Sequence, residues 1–246
     1  MDFTGYEYKE PKVLLSTDNA KTIKGELLGY KTLIMYMSPD KQNTTGKSVC
    51  SSSTDGCRTS CLFTAGRGKF TSIMTARLHK TEYFLRDREK FMAQLVTEIS
   101  KAVKKFGADK ICVRFNGTSD IPFENIKIGE HQNIMAIFPD VQFYDYTKIA
   151  NRFKKELPAN YHLTFSMAET LTNKLECFEL LKQGHNVAAV FNVKDGSELP
   201  ATYRGYNVVD GDISDLRFLD AKNVIVGLKS KGDAKKDTTG FVIKDF

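Results

Sequence analysis

Seven short apolar runs recur along this chain, and polar residues followed by helix-like periodicity separate most of them. The runs are Thr32–Met37, Lys110–Phe115, Val141–Tyr146, Tyr161–Phe165, Asn186–Phe191, Tyr206–Val209 and Asn223–Leu228. They are apolar throughout instead of alternating, so the sheet they form must be covered on both faces. Parallel strands need long crossovers, which the intervening helical stretches supply. Between the first two runs, Met92, Leu95, Val96, Ile99, Val103 and Phe106 recur at helical spacing, and Gly107 stands where such a helix would stop. Further helices are expected at about 130–138, 148–157 and 170–183. The expected fold is therefore α/β with mostly parallel strands, a complete or partial TIM-like barrel, with an eighth strand in Lys12–Ser16 or Gly240–Lys244. A doubly wound open sheet is the alternative, although no Rossmann glycine fingerprint follows the first run.

Length and composition fit one such unit. The chain has 246 residues, 41% hydrophobic and 27% charged, and no Ser/Gly/Pro-rich linker divides it, so a single domain over 1–246 is expected. No run approaches about 18 apolar residues, and MDFTGYEYKE lacks a basic-then-apolar leader, which points to a cytoplasmic protein with no membrane partner. The net charge of +6 permits a nucleic-acid partner without requiring one. The basic stretch 229–237, KSKGDAKKD, reads as a solvated tail or loop.

The chemistry concentrates in residues 48–69, SVCSSSTDGCRTSCLFTAGRGK, which carry Cys50, Cys57 and Cys61 at the spacing Cys-x6-Cys-x3-Cys. The total of five cysteines is odd and suits a disulfide framework poorly. Cys112 and Cys177 fall within apolar patterns and read as small buried residues. Three thiolates on one loop need a cation to neutralise them, so metal ligation is the natural reading. A structural zinc site would want a fourth ligand, and His79 is the nearest. A 4Fe-4S cluster held by three cysteines would leave one iron open to a small ligand. The loop directly follows the first run, at the strand end where barrels place their active sites.

Other polar residues follow the later runs. Asn116, Ser119 and Asp120 lie in Asn116-Gly117-Thr118-Ser119-Asp120, with Arg114 just before them. Asp145 and Lys148 end the third strand, Ser166 and Glu169 follow the fourth, Asn192 and Lys194 the fifth, Asp210 and Asp212 the sixth, and Lys229 the seventh. A barrel-mouth site would draw on such groups. Asp145, Lys148 and Asp120 are the candidates for acid–base or ion-pair work, and Arg67, Asn116, Ser119, Ser166 and Asn192 for holding a cofactor or ligand. Arg67 in Gly66-Arg67-Gly68 could grip a carboxylate or phosphate. Thr44-Thr45-Gly46-Lys47-Ser48 mimics the end of a P-loop, but Lys41 occupies the first glycine position. His79, His131, His162 and His185 have no metal-ligand spacing.

The cysteine loop running into CLFTAGRGKF, then VRFNGTSDIP, VQFYDYTK and YHLTFSMAE, resembles a widespread phage-encoded family of gene product eighty-eight type, over most of the chain. More distantly, the layout looks like that of radical S-adenosylmethionine enzymes, whose cluster loop reads Cys-x3-Cys-x2-Cys after the first strand. That likeness implies a 4Fe-4S cluster and S-adenosylmethionine as cofactors. The expected function is an iron–sulfur redox or radical enzyme acting on a small molecule at the open iron, in the host cytoplasm if the chain is phage-encoded. The alternative is a non-catalytic zinc-binding protein that contacts nucleic acid or a host protein.

Overall fold

The computed structural model describes residues 3–17, 25–194 and 196–246. Five α-helices are described: α1 (Asp55–Thr59), α2 (Thr71–Arg86), α3 (Arg88–Phe106), α4 (Ile134–Ile137) and α5 (Leu171–Lys182). The strands are β1 (Lys31–Ile34), β2 (Ile111–Arg114), β3 (Gln142–Thr147), β4 (Tyr161–Ser166), β5 (Val187–Phe191), β6 (Thr202–Tyr203), β7 (Tyr206–Asp210), β8 (Ile225–Lys229) and β9 (Val242–Ile243). They form one sheet in the order β1-β2-β3-β4-β5-β8-β7-β6, parallel except for the β6–β7 hairpin. All seven apolar runs became strands, and Gly240–Lys244 holds β9. Lys12–Ser16 contributes only a single antiparallel bridge, Ser16 to Ile34. The sequence 148–157 forms a 3-10 turn, Ala150–Lys154, instead of an α-helix.

The expected TIM-like closure is not observed, since β1 and β6 stay at opposite ends of the sheet. The helices do not wrap it evenly either. Leu33, Val113, Phe143 and Leu163 face a core built with Phe84, Phe91, Met92, Leu95 and Ile99 from α2 and α3. The apolar stripe of α3 drives that packing, and Gly107 ends the helix at φ 91°, a conformation that glycine adopts without strain. Phe165, Val187, Ala189 and Phe191 meet Cys177, Leu180 and Leu181 of α5 in a second cluster. On the opposite face, Cys112 and Tyr144 are covered by Leu216 and Phe218, which belong to a single 3-10 turn, Arg217–Leu219, and its N-cap instead of an α-helix. A doubly wound sheet would carry helices there.

The sheet parts at one place. β4 pairs with β5 only at Phe165–Val187 and Ser166–Ala188, while β9 takes the same edge of β5 at Val190–Val242 and Phe191–Ile243. The end of the chain is thereby wedged between two strands at their C-terminal ends. The stretch read as a solvated tail or loop is an ordered surface turn with Lys231, Lys235 and Lys236 exposed: Lys229 closes β8, Ala234 is buried, and the buried Asp237 carboxylate accepts from the amides of Thr239, Gly240 and Val242. Those bonds hold its pKa low against the opposing effect of burial. The lysines of 229–237 sit on either side of buried Ala234, which sequence charge alone does not reveal.

Candidate active site

The loops at the C-terminal ends of the parallel strands enclose a cavity of about 280 Å³, close to the low end of the range for small-molecule sites. Cys50, Cys57 and Cys61 all line it, with Asp120, Lys148 and Ser166 from across the mouth. The sequence therefore brought together residues over a hundred positions apart.

The cysteine loop is held from several directions. Thr54 caps α1, its hydroxyl accepting from the Cys57 amide at 3.2 Å. Glu169, just past β4, accepts from the Gly56 amide at 2.9 Å and from the Thr54 hydroxyl at 2.7 Å. A side chain at Gly56 would collide with that carboxylate and with Thr239, so the loop needs glycine there. Cys50 bridges to Asp120 beside β2, and the Asp120 amide donates to Val49 O at 2.8 Å. The Asp40 amide donates to Cys50 Sγ at 3.3 Å. Burial nonetheless pushes the Cys50 thiol up to about 12, and it raises Cys61 despite a bond from the Phe63 amide. As bare thiolates these groups would be costly, and a bound cation reverses that balance.

Among the described residues, no three His, Cys, Asp or Glu side chains converge closely enough to hold a single metal ion. A zinc tetrahedron demands that convergence at about 2.3 Å per thiolate. A cubane cluster binds each thiolate to a different iron and asks only that the sulfurs surround one space.

The Asn116–Asp120 loop is the opposite wall. Gly117 donates to Met35 O at 3.0 Å, and the Thr118 hydroxyl accepts from the Met37 amide at 3.1 Å while donating to Met37 O. Asn116 Oδ1 accepts from Ser119 Oγ at 2.9 Å and from the Ile121 amide at 2.8 Å. Asp120 pairs with buried Arg152 at 3.1 Å and accepts from the Lys148 amide at 2.8 Å. Burial raises its pKa, opposed chiefly by Arg152. Lys148 Nζ donates to Ser166 Oγ at 2.6 Å and lies 5.3 Å from the centre of the Phe241 ring.

Three expected site residues lie elsewhere. Asp145 faces away from the cavity and is fully buried; its carboxylate accepts from the Asn116 amide (2.7 Å), Asn116 Nδ2 (3.0 Å) and the Tyr161 hydroxyl (2.9 Å). It shapes the loop that lines the site. Alternation along β3 explains this, because Tyr146 and Tyr144 take the other face. Asn192 is exposed and its amide pairs with Ile243 O, and Arg67 is exposed on a short 3-10 turn; neither lines the cavity. Nor does His79 join the cysteines: it bonds the Tyr6 hydroxyl at 2.8 Å.

Sequence reasoning passed over Phe241, Arg58 and Lys231, which line the cavity from the cysteine loop and the chain's end. The lining role of Arg114 was visible as a strand-end cation, but its partner, Asp215 at 2.7 Å, comes from a loop 101 residues away.

The profile of the phage family Gene product 88 matches residues 13–245, which takes in both walls of this cavity. The chain belongs to the Gene product 88 family. Searches of curated proteins and of solved structures found no match. The family match gives no support to the more distant radical S-adenosylmethionine likeness. Among the described residues, no helix is long and apolar enough to cross a membrane.

Proposed function

We propose that this member of the Gene product 88 family is an iron–sulfur enzyme in which Cys50, Cys57 and Cys61 hold a 4Fe-4S cluster at the mouth of the sheet. The observation that carries the reading is that all three cysteines line one small cavity. A cluster held by three protein thiolates supplies an open iron for redox, radical or Lewis-acid chemistry on a small ligand. The Asp40 and Phe63 amides, donating to sulfur, stabilise the anionic form of two of the ligands. Lys148 is the residue placed to deliver a proton or a positive charge to a bound ligand, with Ser166 fixing its ammonium and Asp120 fixing its main chain. Asp145, expected as an acid–base group, acts in this reading only as a positioning residue for Asn116.

Anaerobic purification followed by iron, sulfide and zinc analysis tests the reading. About four iron and four sulfide per chain are expected, and each single Cys→Ala variant at 50, 57 and 61 should lose or destabilise the cluster. Unchanged metal content in all three variants sinks the assignment.

A second reading is non-catalytic binding of nucleic acid or a host protein. Exposed Arg67, Lys69, Lys231, Lys235 and Lys236 favour it, since they ride on short turns adjoining the cysteine loop. Stoichiometric zinc without sulfide, together with DNA retention that falls steeply with salt, would favour it over the enzyme.

A further inference from the structure

Two residues that line the cavity carry hydrogen-bond donors without a partner among the described residues. Arg114 is 7% exposed and lines the cavity. Its Nη1 pairs with Asp215 and its Nη2 lies 3.5 Å from Asn116 O, while Nε has no partner among the described residues. The buried hydroxyl of Tyr146, a residue that also lines the cavity, has none among them either. The two belong to one unit, because the guanidinium sits 4.5 Å from the centre of the Tyr146 ring. Buried donors are nearly always satisfied, and leaving one bare costs about 1–3 kcal/mol. Two on one wall of one cavity therefore mark a place where something else supplies acceptors.

The charge at that wall says what kind. Lys148 Nζ donates to Ser166 and forms no ion pair among the described residues, and an ammonium has three hydrogens to give. The nearby carboxylate of Asp120 is committed to Arg152 and to the Lys148 main chain. Asp215 is likewise engaged, by Arg114 and by the Tyr144 hydroxyl. The groups left to a ligand are a guanidinium N–H, a phenolic O–H and an ammonium, two of them cationic.

We propose that the cavity recognises its ligand through a small anionic group, a carboxylate or a phosphate, received by Arg114 Nε, the Tyr146 hydroxyl and Lys148 Nζ. This deepens the enzyme reading by naming the chemistry of the ligand, and it rests on the same cavity being a binding site. Charge-assisted bonds of this kind are the strong ones, and water would leave the ammonium without a counter-charge.

Calorimetry and thermal shift on the full chain test it, with inorganic phosphate and acetate as probes and glycerol and acetamide as their uncharged counterparts. Saturable binding of phosphate or acetate, absent for the neutral pair, is expected, and which anion binds decides between the two sources. Tyr146→Phe should weaken that binding about tenfold while leaving the ligand-free melting temperature unchanged or higher, because the hydroxyl it removes has no hydrogen-bond partner among the described residues. Lys148→Met should weaken it further. Equal responses to charged and neutral probes, no binding of either anion, or an unaltered affinity in Tyr146→Phe would overturn the proposal. Iron measured on the same samples reports on the cluster separately: iron without anion selectivity defeats this inference alone, and anion selectivity without iron leaves it standing while the cluster falls.

Discussion

Replacing Gly117 with alanine probes the joint between the two walls of the site. A Cβ there would lie 2.6 Å from Met35 O and 2.6 Å from Tyr36 Cδ1, and ordinary contact begins near 3.4 Å. The loop must then retreat by 3.4 − 2.6, about 0.8 Å, from a main-chain carbonyl that cannot swing aside as a side chain would. That retreat also stretches the Gly117 N to Met35 O bond from 3.0 Å to beyond hydrogen-bond range. Overpacking of this sort costs about 1–3 kcal/mol and the lost bond about 1 more, so the loss should be roughly 2–4 kcal/mol. For a chain of this size that corresponds to a fall of about 10 °C in melting temperature. Gly129→Ala is the control, since nothing lies within 4 Å of its Cβ position and only its φ of 53° opposes the change. Its cost should stay near 1–2 kcal/mol. Calorimetric melting of the two variants and the parent checks the comparison. A Gly117→Ala protein as stable as the parent, or no less stable than Gly129→Ala, would refute the packing of this loop against the end of β1.

Two further outcomes follow from buried charge. Desolvation lifts Asp145 from 3.8 to about 6, so the folded chain holds its proton more tightly than the unfolded chain does. Stability from this group is therefore full below about pH 4 and lost as pH rises through about 6, a change of about 3 kcal/mol. Asp145→Asn removes the titration, so the parent should lose stability relative to the variant over that interval in urea unfolding; a pH-independent difference would contradict it. Arg152→Met strands Glu124 and Asp120, whose side chains are 8% and 11% exposed, without their cation. A loss of about 3–5 kcal/mol is expected in the same assay, and a loss under about 1 kcal/mol would mean that water already screens the cluster.

The strands were legible because unbroken apolar runs such as Lys110–Phe115 leave a chain few other choices, and α3 was legible because its stripe repeats over five turns. Closure of the sheet was not, because it depends on whether the last strand meets the first, and no local pattern encodes that meeting. Of the site, the three cysteines were legible from residue chemistry, and Asn116, Ser119, Asp120, Lys148 and Ser166 from their place just past apolar runs. Asp145 shows the limit of that rule: one step along a strand turns a side chain to the other face, so a strand-end position narrows the choice without fixing the direction. Asn192 failed for a different reason, since β9 takes up the edge of β5 and Asn192 bonds to it through its main chain.

That displacement explains why the cavity has the residues it has. Had β4 continued alongside β5, the ladder would have closed the space between their ends. β4 instead stops at Ser166, whose hydroxyl is left to hold Lys148, and Glu169 a few residues on reaches back to the cysteine helix. β9 fills the vacated edge and brings Phe241 under the Lys148 ammonium, while Asp237 ties down the turn before it and lies within reach of Ser60. The chain's last strand and its cysteine loop thus depend on each other across nearly the whole sequence. The family match spans both, as a site assembled from both ends of the chain would require.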